Sequence, residues 1–311
     1  MSTTRNAART ALALVAAAGL AMTTVTAVQA MSTGPWTTAV GAESVAGTSM
    51  DLNTAALEGC AFVAQRDDVL YFASSRAGGL GGLDIWYAER QANGAWGAPV
   101  NFTAVNSAQN DLCPTAHRNG RTFLLASART GGCGGTDLYV TRRHETRGWA
   151  VPRNLGCTVN SAADEAGPSL VESELYFSSN RAGGVTAEAP GATSGDGDIY
   201  RSHVDDDAFH APAVVTALST GANDLRPNLS RDGLEVFFDS NRSGGLGGLD
   251  LWTATRSSTS TAWSTPVDLG SAVNSSVDDL RPTLSWDGRS LYFGSVRSGG
   301  EGSQDLYLTT R

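Results

Sequence analysis

The sequence predicts an all-β fold, a five-bladed β-propeller closed by an N-terminal strand that completes the last blade, and three features carry that prediction. The step Asp-Ile/Leu-Trp/Tyr recurs five times, beginning at Asp84, Asp137, Asp198, Asp250 and Asp305, at intervals of 53, 61, 52 and 55 residues. Each step is preceded by an aromatic strand, an arginine and a glycine loop. The last copy stops at Arg311, one strand short, while Trp36 to Val40 near the other end resembles Trp263 to Val267. A period of this length exceeds that of helical solenoids and fits a four-stranded blade. Borrowing the missing strand from the N-terminus closes the ring and removes the sheet edge an open array would leave.

The four strands of each unit follow in order. The first comes after an acid (Glu58, Asp111, Glu165, Asp224, Asp279) and begins at Pro114, Pro168, Pro227 or Pro282, with Ala61 in that place in the first copy. The second is an apolar triplet such as Leu70-Tyr71-Phe72 or Leu291-Tyr292-Phe293, joined to the first by turn residues such as Asp232-Gly233 and Asp287-Gly288. The third opens at the Asp-Ile/Leu-aromatic step. The fourth is expected to start at Trp96, Trp149, Phe209 or Trp263, each followed three residues later by a proline, which suits an outer edge whose N–H faces water. Outside the first thirty residues no stretch keeps a helical period for long.

Composition narrows the function. The chain has 311 residues with 41 % hydrophobic content, and its 22 basic residues are all arginine. It is therefore globular, neither disordered nor membrane-embedded. The net charge is −9, and setting aside Arg5 and Arg9 of the acid-free first thirty residues leaves −11 on the remainder. Such a field repels polyanions, and no basic stripe with interleaved aromatics counters it, so nucleic acid and anionic membrane surfaces are not expected partners.

Met1 to Arg9 is short and basic, Ala11 to Ala18 is apolar, and Val28-Gln29-Ala30 supplies small residues at a cleavage site. Residues 1–30 read as a secretory signal peptide and residues 31–311 as one propeller domain, with no membrane span after cleavage. The expected destination is the periplasm or the medium, where disulfides persist. A closed ring compels no association, so a monomer is expected.

Four arginine–aspartate pairs keep a spacing of eight: Arg76 and Asp84, Arg129 and Asp137, Arg242 and Asp250, Arg297 and Asp305; Arg181 and Asp198 are separated by 17 because Val185 to Asp196 is an insertion. A glycine loop between them has the N–H groups to cradle an anion. Five equivalent copies read better as structural ion pairs pinning each loop, because a ligand site usually breaks repeat symmetry. Asymmetry appears just before the first-strand proline, where Cys60, Cys113, Gly167, Arg226 and Arg281 stand in successive copies. Arg226 and Arg281 are the candidate ligand-binding residues at the channel mouth, for a carboxylate or other anion; the rival reading pairs them with Asp224 and Asp279. The strand order brings Cys133 toward Cys157 and Cys60 toward Cys113 as disulfides, one of three possible connectivities. The scattered histidines and the lack of Cys-x-x-Cys call for no metal, and no motif calls for a cofactor.

At Ser179-Asn180-Arg181-Ala182-Gly183-Gly184 and at Leu280 to Phe293 the sequence resembles the WD40-like propeller repeat of the TolB type, over roughly residues 55–311. The resemblance implies the propeller and leaves the job open, since no separate N-terminal domain or sixth blade is present here. The expected function is an exported, non-catalytic binding module for a protein or glycan. The alternatives are a glycoside hydrolase or lyase using an axial pair among Glu58, Asp111, Glu165, Asp224 and Asp279, or a lectin-like multivalent sugar binder.

Overall fold

The computed structural model describes residues 34–64, 68–185, 194–205 and 208–311; residues 1–30, read from sequence as a signal peptide, and the greater part of the insertion, residues 186–193, lie outside the described residues. Five antiparallel sheets are arranged as the predicted propeller. Blade 1 comprises Glu58–Val63, Val69–Ser74, Asp84–Glu89 and Val100–Asn101. Blade 2 comprises Asp111–Ala116, Thr122–Ser127, Asp137–His144 and Arg153–Asn154. Blade 3 comprises Glu165–Val171, Glu174–Arg181, Ser194–Asp205 and Ala213–Val214. Blade 4 comprises Asp224–Leu229, Glu235–Ser240, Asp250–Thr255 and Val267–Asp268. Blade 5 comprises Asp279–Leu284, Ser290–Ser295 and Asp305–Thr310, completed by Val40–Gly41.

The N-terminal strand closes the ring as expected: Val40 lies opposite Leu308 and Gly41 opposite Tyr307. Trp36 sets its ring edge-on to Phe237 of blade 4 at 5.9 Å. The core lies between the faces of successive sheets, where second and third strands, read as near-continuous apolar runs, are covered on both sides.

The outer strands differ from expectation. Pairing with the third strand is strongest after the proline, at Val100–Asn101 or Val267–Asp268, four residues beyond the aromatic. The aromatic segment makes its own short ladder with the tip of the third strand, as Trp149 does opposite Arg143 and Phe209 opposite Val204. Proline separates the two ladders because it has no N–H to donate.

Each inner strand carries one bulge at the same place, where the register shifts between Gly59/Phe62, Leu112/Thr115, Ala166/Ser169, Leu225/Asn228 and Leu280/Thr283. The bulged residue has a left-handed backbone, with φ of 50° at Cys60, 49° at Cys113, 60° at Gly167, 49° at Arg226 and 60° at Arg281. Four of these five are not glycine, in a region that penalises a Cβ, so the ring of bulges holds backbone strain around the axis.

The repeated arginine and aspartate are both structural, but they do not pair with each other. Arg76 reaches Glu58 at 3.1 Å, Arg181 reaches Glu165 at 2.9 Å, and Arg129, Arg242 and Arg297 reach Asp111, Asp224 and Asp279. The partner is thus the acid opening the inner strand of the same blade. Register explains the choice: Glu58 lies opposite Ser74, two residues before Arg76, and the guanidinium folds back so that Nε donates to Ser74 Oγ. Its Nη2 also donates to the carbonyl of Leu52 in the preceding connection, and its face lies 5.3 Å from the Trp86 ring. Asp84, Asp137, Asp198, Asp250 and Asp305 have another use. Each carboxylate accepts N–H groups of its own glycine loop, as Asp250 does from Leu246 at 2.8 Å and Gly247 at 3.0 Å. The loop is an anion cradle whose anion is the blade's own aspartate. A Cβ on Gly245 would stand 2.0 Å from Asp250 Oδ2, so the second glycine of the pair exists to admit that carboxylate.

Candidate functional site

Both disulfides form as paired in the sequence: Cys60 with Cys113 across blades 1 and 2 at the axis, and Cys133 with Cys157 at the rim of blade 2. Cys60 and Cys113 line a small axial cavity of ≈ 30 Å³, together with Gly167, Arg226 and Arg281 of the other three inner strands. The five inner-strand acids do not line it. All five are fully buried and ion-paired to the blade arginines, so they form no exposed carboxylate pair at the axis.

Arg226 and Arg281 do meet at the axis, though not on Asp224 and Asp279, which the blade arginines already hold. Arg226 instead makes a forked pair with the fully buried Asp239 of the second strand, its Nε donating to Oδ1 at 2.9 Å and its Nη2 to Oδ2. The Arg281 backbone N–H donates to the same Oδ1 at 3.0 Å. A cavity of this volume is an order of magnitude below the several hundred Å³ of an organic ligand site.

A larger concavity of mixed chemistry lies elsewhere among the described residues, between blades 1 and 2 on the side of the first hairpin turns. It measures ≈ 450 Å³ and is walled by Tyr71 and Trp149, with Arg118, Arg143, Asp68 and Asn119 around its rim. It arises where a repeated latch is missing. Six residues after the third-strand aspartate stand Arg90, Arg143, Val204, Arg256 and Arg311. Arg90 lies over Trp96 at 4.2 Å, Arg256 over Trp263 at 4.3 Å and Arg311 over Trp36 at 4.6 Å, and each tryptophan meets an aromatic ring of the preceding blade. Val204 and Phe209 close the blade 2–3 junction by apolar packing.

At the junction of blades 1 and 2 the tryptophan turns away. Trp149 packs on Phe102 and on Phe123 of its own blade, at 5.9 and 5.7 Å, which leaves a gap between it and Tyr71. Arg143 is exposed and, among the described residues, has no ion-pair partner. The comparable depression beside the blade 3–4 latch is ≈ 230 Å³, and its Arg256 is occupied by Gly233 O, Tyr176 Oη, Thr259 O and Glu174. Burial, helped by the charge of Asp68, raises the Tyr71 phenol to about 12, so it faces the cleft as a neutral hydroxyl. Burial also lowers the pKa of the His117 imidazole at the cleft wall, opposed by Asn119, which favours its neutral form near pH 7. This cleft was not among the residues singled out from sequence, although arginine at the sixth place after the aspartate in four of five copies was readable there.

A third concavity, ≈ 330 Å³, lies beside the closing strand and contains Glu43, Glu301 and Asp305. Burial pushes Glu43 up to about 7 against the N–H of Asn53, with Glu301 and Asp305 adding to the rise. The folded protein therefore holds this proton more tightly than the unfolded chain. The stability it contributes is complete below the ordinary value of 4.5 and is lost as pH rises through about 7. Glu43→Gln is expected to flatten that part of the Tm–pH curve; an unchanged slope would show that Glu43 is ionised throughout.

No protein-family model matches the chain and no curated protein matches it in sequence. Among solved structures it is similar to a GH43 endo-arabinanase from Bacillus licheniformis, at 12 % identity and TM-score 0.55, over 84 % of this chain and 94 % of that one. It is also similar to an α-L-arabinofuranosidase from Lactobacillus brevis, at 12 % identity and TM-score 0.52, over 87 % and 94 %. TolB from Acinetobacter baumannii matches at 13 % identity and TM-score 0.42, over 81 % of this chain but only about half, 53 %, of that one. At such identities the likeness is one of fold alone. Among the described residues no helix is long and apolar enough to cross a membrane.

Proposed function

We propose that this chain is an exported, non-catalytic binding module that takes a glycan in the cleft between blades 1 and 2. The observation that carries the reading is broken symmetry: at this junction alone the repeated tryptophan is turned off its partner ring, opening ≈ 450 Å³ between Tyr71 and Trp149. Aromatic walls present flat apolar faces to a sugar ring, while Arg143, Asn119 and Asp68 at the rim supply the donors and acceptors that hydroxyl groups need. The other concavities, ≈ 230 Å³ beside the blade 3–4 latch and ≈ 330 Å³ beside the closing strand, differ from this cleft in size and lining, which argues for a single ligand site and against the multivalent lectin. A hydrolase at the axis is not favoured, because the five acids that would serve it are each spent on an arginine. A large protein partner is supported less well, since the exposed apolar side chains are spread over all five blades. Export is supported by the two disulfides and by the basic-apolar-small pattern of residues 1–30.

Calorimetric titration with defined neutral and uronate-containing oligosaccharides is expected to show one site per chain. Trp149→Ala is expected to weaken it about tenfold or more, the usual effect of removing an aromatic anchor. Five equivalent sites, turnover of the glycan, or binding indifferent to Trp149→Ala and Tyr71→Ala would each overturn the reading.

A further inference from the structure

The axis carries an imbalance of charge. Around the ≈ 30 Å³ cavity stand two guanidinium groups, Arg226 and Arg281, and behind them one carboxylate, Asp239. Asp239 already takes three donors: both oxygens accept from Arg226, and Oδ1 also accepts the Arg281 backbone N–H. The surrounding acids are neutralised within their own blades, Asp224 by Arg242, Asp279 by Arg297 and Glu58 by Arg76. Arg281 is thus left one positive charge in excess. Among the described residues its side chain meets Gln304 Oε1, at 3.4 Å from Nη1, and its buried Nε has no hydrogen-bond partner. The chain makes deliberate room for it: a Cβ on Gly59 would stand 2.8 Å from Arg281 Nη1.

Arg281 is half-buried with its Nε out of reach of water, and a cation held there with an orphaned donor favours a counter-charge beside it. We propose that the axial cavity is a binding site for one monatomic anion, chloride in the first instance, held by Arg281 and Arg226 beside the Cys60–Cys113 disulfide. Size favours the class: the cavity volume is about that of one water molecule, which suits a halide better than the bulkier carboxylates. Water fits as well and satisfies Nε, but it leaves the charge uncompensated. The alternative relief is loss of the Arg281 proton, and burial together with the Arg226 charge does lower its pKa to about 9. That value still leaves the group cationic at neutral pH, so its charge is available there to hold an anion. The site is separate from the blade 1–2 cleft and stands or falls without it.

Thermal unfolding at constant ionic strength, with sodium chloride or bromide replacing sodium gluconate, tests the proposal. Stabilisation by a ligand of the native state grows with the logarithm of its concentration above Kd. Tm of the wild-type protein is therefore expected to climb with halide and to be flat in Arg281→Gln. A crystal grown in bromide should show an anomalous peak at the axis, within hydrogen-bond reach of Arg281 Nε; this readout holds even if the variant does not fold. Equal Tm in halide and gluconate, or a water without anomalous signal at that position, would overturn the site.

Discussion

Arg242→Ala is expected to cost about 3–5 kcal/mol of folding stability, because it leaves Asp224 charged and uncompensated in the interior. Asp224 is fully buried, and its partner is only 11 % exposed. The guanidinium also donates from Nε to Ser240 Oγ and from Nη2 to the carbonyl of Leu218, and it lies 5.3 Å from the ring of Trp252. One substitution therefore removes the tie between the inner strand, the second strand, the third-strand aromatic and the connection from the preceding blade. Arg242→Lys is expected to recover only part of the loss, since an ammonium cannot hold the fork and the stack together. The contrast is Arg121→Ala: its pair with Glu145 has 65 % and 76 % exposed side chains, and its loss is expected to fall within about 0.5 kcal/mol. Chemical denaturation of the three variants checks the ranking. A cost for Arg242→Ala as small as that for Arg121→Ala would mean that Asp224 is neutral or solvated in the folded protein.

Opening the Cys60–Cys113 disulfide is expected to be the next largest loss. The two bridges close segments of 53 and 24 residues, for which the chain-entropy model gives about 4 and about 3.5 kcal/mol. The axial bridge has a further consequence of position. It ties blade 1 to blade 2, the same junction where the Arg–Trp latch is absent and the cleft stands open. The disulfide holds at the axis what the latch holds elsewhere at the rim. Cys60→Ser with Cys113→Ser is therefore expected to loosen the cleft as well as lower Tm, seen as faster hydrogen exchange in Val69–Ser74 and Thr122–Ser127 than in other second strands. Cys133→Ser with Cys157→Ser should lower Tm and leave those two strands alone. Equal exchange in both double variants would separate the bridge from the cleft.

The blades were legible because each carries its own punctuation. Asp250-Leu251-Trp252, the glycine pair before it and the proline after Trp263 announce strand, loop and edge within some twenty residues. Ring closure was legible for the same reason: a fourth strand missing after Arg311 had its likeness at Trp36. The partners of charged groups were not legible. Arg76 lies eight residues from Asp84 and 18 from Glu58, and sequence distance favours the former. Antiparallel register reverses the choice, placing Glu58 opposite Ser74 while the loop N–H groups take Asp84.

The axial arginines show the same limit. Their place before the inner-strand proline made them neighbours on the channel, as the repeat required. Their true acid, Asp239, sits in a different strand, and nothing in its spacing marks it out among the 31 acidic residues. The cleft between blades 1 and 2 is harder still, for its residues are nearly those of the closed junctions.

What the sequence by itself determined is the set of repeated elements: five blades, the closing strand, the two disulfide pairs, and the ring of special positions before each inner proline. These depend on local propensity and on repetition, which a chain writes along its length. What only the tertiary structure decided is where symmetry fails. Whether Trp149 lies over Tyr71 or turns to Phe102 depends on how two sheets pack, and whether Arg281 finds a carboxylate depends on the distance between strands of different blades. Packing and Coulomb interactions act through space between residues tens or hundreds of positions apart, so the sites they create appear only once the ring has closed.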